Sequence, residues 1–363
     1  MKSIYWIITL LCLSAPGFAA PALPGMGTNL DQTSVSGISS GGFMAAQLHV
    51  VYSTHLIGAG IVAGGPYFCA DSSRNPFMSY LATATTTCMN PCKNWFSWAK
   101  WMCEATLLPN GARLADKAID LASDGVIDPT GHLANDKVYL FSGGLDDTVV
   151  TGVVDQTKAF YRSIGVPDSA IKFDQNPDAQ HAYISDDSNK ACGFHGAPYI
   201  NDCQGYDQSR IILEHIYGPL KNNAANPSGT LFEFDQAEFV PEQQLSISAL
   251  ADKAYAYVPK DCEQQSCRVH VAFHGCKQSA AEYETNKAYF HEMAGYNEVA
   301  DTNQIIVLYP QIRARAEMNI SPFNPKGCWD FWGYTNSDFY KKESIQMTSV
   351  MKMVERLTEA RLP

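Results

Sequence analysis

Val35-Ser36-Gly37-Ile38-Ser39-Ser40-Gly41-Gly42-Phe43-Met44 reads as the end of a strand, a sharp turn and the start of a helix. Within it, Gly37-Ile38-Ser39-Ser40-Gly41 fits G-x-S-x-G, the pattern of a nucleophile elbow. An elbow holds its serine at the apex of a strained turn, with the hydroxyl lifted clear of the sheet. The residues two before and two after the serine pass too close to their neighbours for a side chain, which is why they are glycine. A helix that begins just past Ser39 turns its free N–H groups and positive dipole end toward the place where an oxyanion would form. Gly and Ser alone also make plain flexible turns, so the flanks decide. A polar–apolar segment, Asn29 to Val35, precedes the turn, and Phe43, Met44, Ala45, Ala46, Leu48 and Val51 follow it at helical spacing.

Outward from the elbow, strands and helices alternate. Ile57 to Ala63 reads as a buried strand ending at Gly64-Gly65-Pro66, and Lys137 to Ser142 and Ile171 to Asp174 read as further strands. Helices are predicted over Asp116 to Leu121, Asp155 to Ile164 and Ser209 to Tyr217. Asn222 to Thr230 is the most linker-like stretch. Beyond it come strands at Leu231 to Phe234, Ala254 to Val258, Arg268 to Phe273 and Gln304 to Tyr309, with helices over Ala280 to Ala300, interrupted, and Glu343 to Leu357. This alternation predicts an α/β fold with a mostly parallel central sheet and helices on both faces. Trp95, Trp98 and Trp101 recur every third residue, a helical spacing read here as one packed face.

Met1 to Ala19 has the form of a secretory signal peptide: Lys2, an apolar run from Ile4 to Leu13, and small residues at Gly17 and Ala19. Residues 20–363 then form a single catalytic domain, with no integral membrane segment, secreted to the extracellular space or periplasm. Of 11 cysteines, Cys12 leaves with the signal, and an even number in an exported chain favours disulfides. Cys192 with Cys203 and Cys262 with Cys267 are the easiest local pairs. Cys69, Cys88, Cys92 and Cys103 form a second group, and Cys276 and Cys328 a third. Cys88 and Cys92 lack a His/Cys pair at zinc-finger spacing, so no metal is expected there. A net charge of −11 with no basic cluster argues against nucleic acid and anionic membranes as partners, and fits a neutral substrate.

A serine hydroxyl needs a base, and the base needs an acid to hold its tautomer. In an elbow hydrolase these follow in chain order Ser, Asp/Glu, His. Asp146 lies in the loop after the strand Lys137 to Ser142 and is the favoured acid, with Asp147 as its rival. Of nine histidines, His181 follows the next strand and is the favoured base. His195 lies inside the Cys192–Cys203 loop, His49 and His215 lie on helices, and His270 lies within a strand. One oxyanion donor is the N–H of Ser40. The second normally comes from a loop after an earlier strand, yet too few residues precede Ser39 to build one. His274-Gly275-Cys276, directly after Arg268 to Phe273, has the needed form, so the N–H of Cys276 is the second candidate. The C-terminal half would then supply the strands that usually come first. That describes a circularly permuted α/β-hydrolase with its junction near residues 222–230.

On these residues the chain resembles the extracellular poly(3-hydroxybutyrate) depolymerase family, and most of all its circularly permuted catalytic domain. The likeness continues in Ala63-Gly64-Gly65-Pro66-Tyr67, Tyr257-Val258-Pro259, Tyr309-Pro310-Gln311 and Asn324-Pro325-Lys326-Gly327-Cys328-Trp329-Asp330-Phe331-Trp332-Gly333-Tyr334. The resemblance implies a serine esterase acting on a polyester or oligoester without a cofactor. It assigns Ser39 as nucleophile, Asp146 as acid, His181 as base, and the N–H groups of Ser40 and Cys276 as oxyanion hole. It also implies a substrate-lining tryptophan, Trp332 in preference to Trp329. A monomer is expected. No polymer-adsorbing domain is legible after Leu357, so amorphous polymer or soluble oligomers are the expected substrates. The other readings are a feruloyl or acetyl-xylan esterase and, more remotely, a binding protein on a decayed hydrolase scaffold.

Overall fold

The computed structural model describes residues 20–361 except 74, 76, 282–288 and 318–321. The signal peptide and part of the helix expected over Ala280 to Ala300 therefore lie outside the described residues. Ten strands are seen among those described: β1 Thr33–Ile38, β2 Leu56–Val62, β3 Lys137–Phe141, β4 Ile171–Asp174, β5 Tyr183–Ile184, β6 Ile200–Asn201, β7 Thr230–Asp235, β8 Lys253–Val258, β9 Arg268–Phe273 and β10 Ile305–Tyr309. Eight of them make one sheet in the order β4-β3-β2-β1-β9-β10-β8-β7. Pairing is parallel from β4 through β10, and antiparallel where β8 joins β10 and β7 joins β8.

β1 is the pivot. It is buried along its whole length, between β2 on one side and β9 on the other. The register sets Gly37 opposite Phe273, the last residue of β9, so the chain leaving β9 emerges beside the chain leaving β1. Sequence neighbours supply one flank of the elbow, and a strand more than 200 residues away supplies the other. The stretch 218–229 joins the two sets of strands.

Helices Ser40–Val51, Gly111–Ser123, Thr151–Ser163, Gln208–Tyr217 and Ile345–Thr358 overlap the expected spans, whereas of the helix expected over Ala280 to Ala300 Tyr296–Asn303 covers only the end. Their starts have local causes. Asn110, Asp207 and Ser344 accept hydrogen bonds from the backbone N–H three residues on, satisfying donors that a helix start leaves free. Phe290–Met293 is a separate short helix. The two-stranded pair β5 and β6 was not foreseen, because two residues are too few to show a period.

Five disulfides form, Cys69–Cys88, Cys92–Cys103, Cys192–Cys203, Cys262–Cys267 and Cys276–Cys328. Cys88 and Cys92 thus both belong to disulfides. One expectation fails. Trp95, Trp98 and Trp101 are 46%, 72% and 67% exposed, so they do not form a packed face. Phe77, Leu81 and Phe96 are exposed with them. This segment is pinned by Cys69–Cys88 and Cys92–Cys103 rather than by a core of its own, so helical spacing did not imply burial. Among the described residues no helix is long and apolar enough to cross a membrane.

Candidate active site

Ser39 stands between the end of β1 and the helix Ser40–Val51 with φ 56° and ψ −124°. A residue with a Cβ pays to be there, and the neighbours hold it in place. Its N–H donates to the Val62 carbonyl (2.9 Å), and its carbonyl accepts from Phe43 N–H (3.0 Å), closing the first helical turn. The flanking glycines are required by space. A Cβ on Gly37 would lie 2.3 Å from the Gly41 carbonyl oxygen, and one on Gly41 would lie 2.4 Å from that of His274.

Three candidate side chains meet here. His181 Nε2 lies 2.9 Å from Ser39 Oγ, and His181 Nδ1 lies 2.8 Å from Asp146 Oδ2. The other carboxylate oxygen of Asp146 accepts from the N–H groups of Thr148 (2.8 Å) and Val149 (3.0 Å). Both Asp146 and His181 are buried. Their loops are tied together, since Leu145 N–H donates to the Ala179 carbonyl (3.0 Å). Asp147 points the other way, into solvent, where it pairs with Lys93 (3.2 Å) and lies 3.9 Å from His195.

The remaining histidines near the sheet are occupied. His49 bonds Tyr161 (3.0 Å) and Asp136 (3.1 Å). His270 has one ring nitrogen 2.7 Å from Ser34 Oγ and the other 2.7 Å from Ser36 Oγ, and burial pushes its pKa down to about 3. His274 is buried and held neutral, its pKa pushed down to about 4. Nδ1 donates to the Gly275 carbonyl (2.7 Å) and Nε2 accepts from Ile312 N–H (3.2 Å). It therefore braces the loop that follows β9.

That loop closes on the elbow. A Cβ on Gly275 would lie 3.3 Å from Ser39 Cβ. Gly275 N–H donates to the buried Gln278 Oε1 (2.6 Å), whose amide nitrogen reaches the carbonyls of Pro198 and Tyr199 (both 3.1 Å). Neither Ser40 N–H nor Cys276 N–H has a hydrogen-bond partner among the described residues. These are the two donors expected at the oxyanion position.

Cys276–Cys328 links the loop to the segment that carries both candidate tryptophans. Trp332 is half-buried and lines the cavity above Ser39. Trp329 does not, which corrects the expectation of it as the alternative substrate-lining residue. It is fully buried, packed edge-on against Phe273 with ring centroids 4.6 Å apart. The two differ because the chain turns sharply between them. Buried Asp330 organises that turn, accepting N–H groups from Trp332, Gly333, Tyr334 and Thr335. Burial pushes its carboxyl above the ordinary range, and these donors oppose the shift. Asp330→Ala would strand several buried donors, each costing ~1–3 kcal/mol, so a loss of at least ~3 kcal/mol is expected. Urea unfolding of the variant and the parent protein measures it.

Ser39 and His181 open on a cavity of about 460 Å³. Its wall is mostly apolar, with Leu81, Met89, Phe323, Phe331 and Trp332. Polar groups enter from Tyr199, His195, Lys277 and Lys326, and among the described residues no carboxylate lines it. None of these four was singled out from sequence as lining a site. They come from separate loops, and no local pattern marks them. Among the described residues no group of three or more His, Cys, Asp or Glu is placed to hold a metal.

No family model matches the chain. It is 39% identical over 354 residues to a poly(3-hydroxybutyrate) depolymerase of Delftia acidovorans, covering 96% of this chain and 64% of that enzyme. It is 32% identical over 367 residues to a polyhydroxybutyrate depolymerase of Talaromyces funiculosus, covering 97% and 96%. The chain belongs to the poly(3-hydroxybutyrate) depolymerase family. Solved depolymerase structures agree in fold. The PHB depolymerase from Penicillium funiculosum has a TM-score of 0.77 at 29% identity, over 93% of this chain and 98% of that one. A serine-to-alanine form of a PHB depolymerase, complexed with an R3HB trimer, superposes equally well. The chain spans slightly under two thirds of the Delftia depolymerase. The depolymerase fold is therefore present here with the mostly parallel sheet, its helices and five disulfides.

Proposed function

We propose that this chain is a secreted serine esterase that cleaves poly(3-hydroxybutyrate) or its oligomers through an acyl-enzyme. The observation that carries this reading is the unbroken chain Ser39–His181–Asp146, beside two N–H groups without a partner among the described residues, opening on a mostly apolar cavity. His181 Nε2 takes the Ser39 proton as Oγ attacks the ester carbonyl. Asp146, fixed by two N–H donors, holds His181 with Nδ1 protonated and balances the imidazolium that forms. The N–H groups of Ser40 and Cys276 receive the oxyanion. The imidazolium then protonates the leaving alkoxide, and water repeats the sequence in reverse to free the acid.

The substrate class follows from the relatives, whose names specify poly(3-hydroxybutyrate) and a bound R3HB trimer. Two features of this chain support it. The cavity wall suits methyl-bearing aliphatic units, with Trp332 as a flat apolar platform. Leu81, which lines the cavity, and the aromatic residues Phe77, Trp95, Phe96, Trp98 and Trp101 of the same segment are exposed, and such side chains offer a surface for a water-insoluble polyester. Five disulfides suit an oxidising compartment, in keeping with export.

Product analysis on poly(3-hydroxybutyrate) film, R3HB trimer, and feruloyl and acetyl esters tests the proposal. Film and trimer are expected to release hydroxybutyrate acids, and feruloyl and acetyl esters to react far more slowly. Faster turnover of feruloyl or acetyl esters would move the chain to the alternative carboxylesterase reading. Replacing Phe96, Trp98 and Trp101 together by Ser is expected to weaken binding to film while trimer hydrolysis persists, because these residues do not line the cavity.

A further inference from the structure

The chain carries 37 acidic and 26 basic residues, yet among the described residues the cavity around Ser39 is lined by two lysines and no carboxylate. Lys277 directly follows Cys276, and its N–H donates to the Lys326 carbonyl (2.8 Å). Their backbones therefore lie side by side, and both residues line the cavity. Both are exposed, and neither ammonium has an acidic partner among the described residues. Lys277 also sits at φ 62°, the left-handed region. A long side chain costs about 1–2 kcal/mol there, where glycine would cost nothing. Strain of this kind gathers at ligand-contacting positions. His195, also on the wall, lies 3.9 Å from Asp147.

We propose that Lys277 and Lys326 form a carboxylate subsite that binds the free acid end of a short hydroxyacid oligoester. The assignment rests on the ester-hydrolase reading above and adds to it the register of the cut. In a hydroxyacid oligomer the free carboxylate lies on the alcohol side of every ester bond. The lysines therefore hold the leaving fragment, and cleavage is counted from the acid end. Interior bonds of a long polymer carry no such charge and gain nothing from the pair. Solid polymer and soluble oligomer are thus served by different groups, the exposed aromatic segment and the lysine pair.

The test compares kcat/KM for R3HB trimer as free acid and as methyl ester, in the full chain and in Lys277→Asn/Lys326→Gln. Asparagine tolerates the left-handed backbone of residue 277, so the variant removes charge without adding strain. In the parent protein the acid is expected to be the better substrate. The acid-to-ester ratio should fall on the order of tenfold in the double variant, mainly through KM, as for two solvent-exposed ion pairs. It should also fall in the parent protein between about 0.01 M and about 1 M ionic strength, where the Debye length shrinks from ~30 to ~3 Å. Lys277→Arg should keep the ratio. A ratio unchanged by the double variant and by salt overturns the subsite while leaving the esterase reading standing. Cleavage of neither trimer overturns both. If the double variant does not fold, the single variants and the salt dependence of the parent protein decide in the same way.

Discussion

Ser39→Ala is expected to lower kcat on the order of 10⁶-fold for every ester the protein accepts, by removing the attacking oxygen from a unit that works only when complete. Substrate binding should persist, because the cavity wall and both unpartnered N–H groups remain. The fold should persist as well. Ser39 Oγ makes one hydrogen bond, to His181, and the backbone bonds to Val62 and Phe43 that shape the turn do not involve the side chain. Single-turnover assays with R3HB trimer, together with thermal unfolding, separate these outcomes. Near-normal turnover in a folded variant would remove Ser39 from the chemistry.

Asp146→Asn is expected to cost on the order of 10⁴ in kcat, with KM little changed. An amide in place of the carboxylate presents a donor or a neutral acceptor to His181 Nδ1, so the ring loses the tautomer that leaves Nε2 free to take the Ser39 proton. Asp147→Asn should leave the rate nearly untouched. Its carboxylate is half-exposed and pairs with the exposed Lys93, an interaction worth at most ~1 kcal/mol. The contrast between two adjacent aspartates tests the assignment more sharply than either variant alone. Equal losses would mean that the loop as a whole matters, and not one carboxylate.

How much of this was legible differs from residue to residue. The G-x-S-x-G turn could be read because steric demands act within five residues. Gly37 and Gly41 have no room for a Cβ, and any elbow must meet that requirement. Strand β9 was legible from Val269, Val271, Ala272 and Phe273, leading directly into His274-Gly275. By contrast, Asp146 and Asp147 differ in sequence only by order. The structure separates them, because the N–H groups of Thr148 and Val149 capture one carboxylate and turn it to His181. Trp329 and Trp332 are three residues apart, and the Asp330-centred turn sends one into the core and the other to the cavity. Trp95, Trp98 and Trp101 misled because periodicity tells which residues share a face and not whether anything covers it.

Local sequence by itself determined the turn around Ser39, the alternation of strands and helices, and an even set of cysteines, since each depends on sterics or chemistry within a short span. Tertiary structure alone decided the register of β9 against β1, which sets Gly37 opposite Phe273 and Gly275 close to Ser39, and that two lysines line the same cavity. Those placements depend on pairing between segments more than 200 residues apart, where the free energy resides in a shared sheet and core rather than in any stretch of chain that can be read alone.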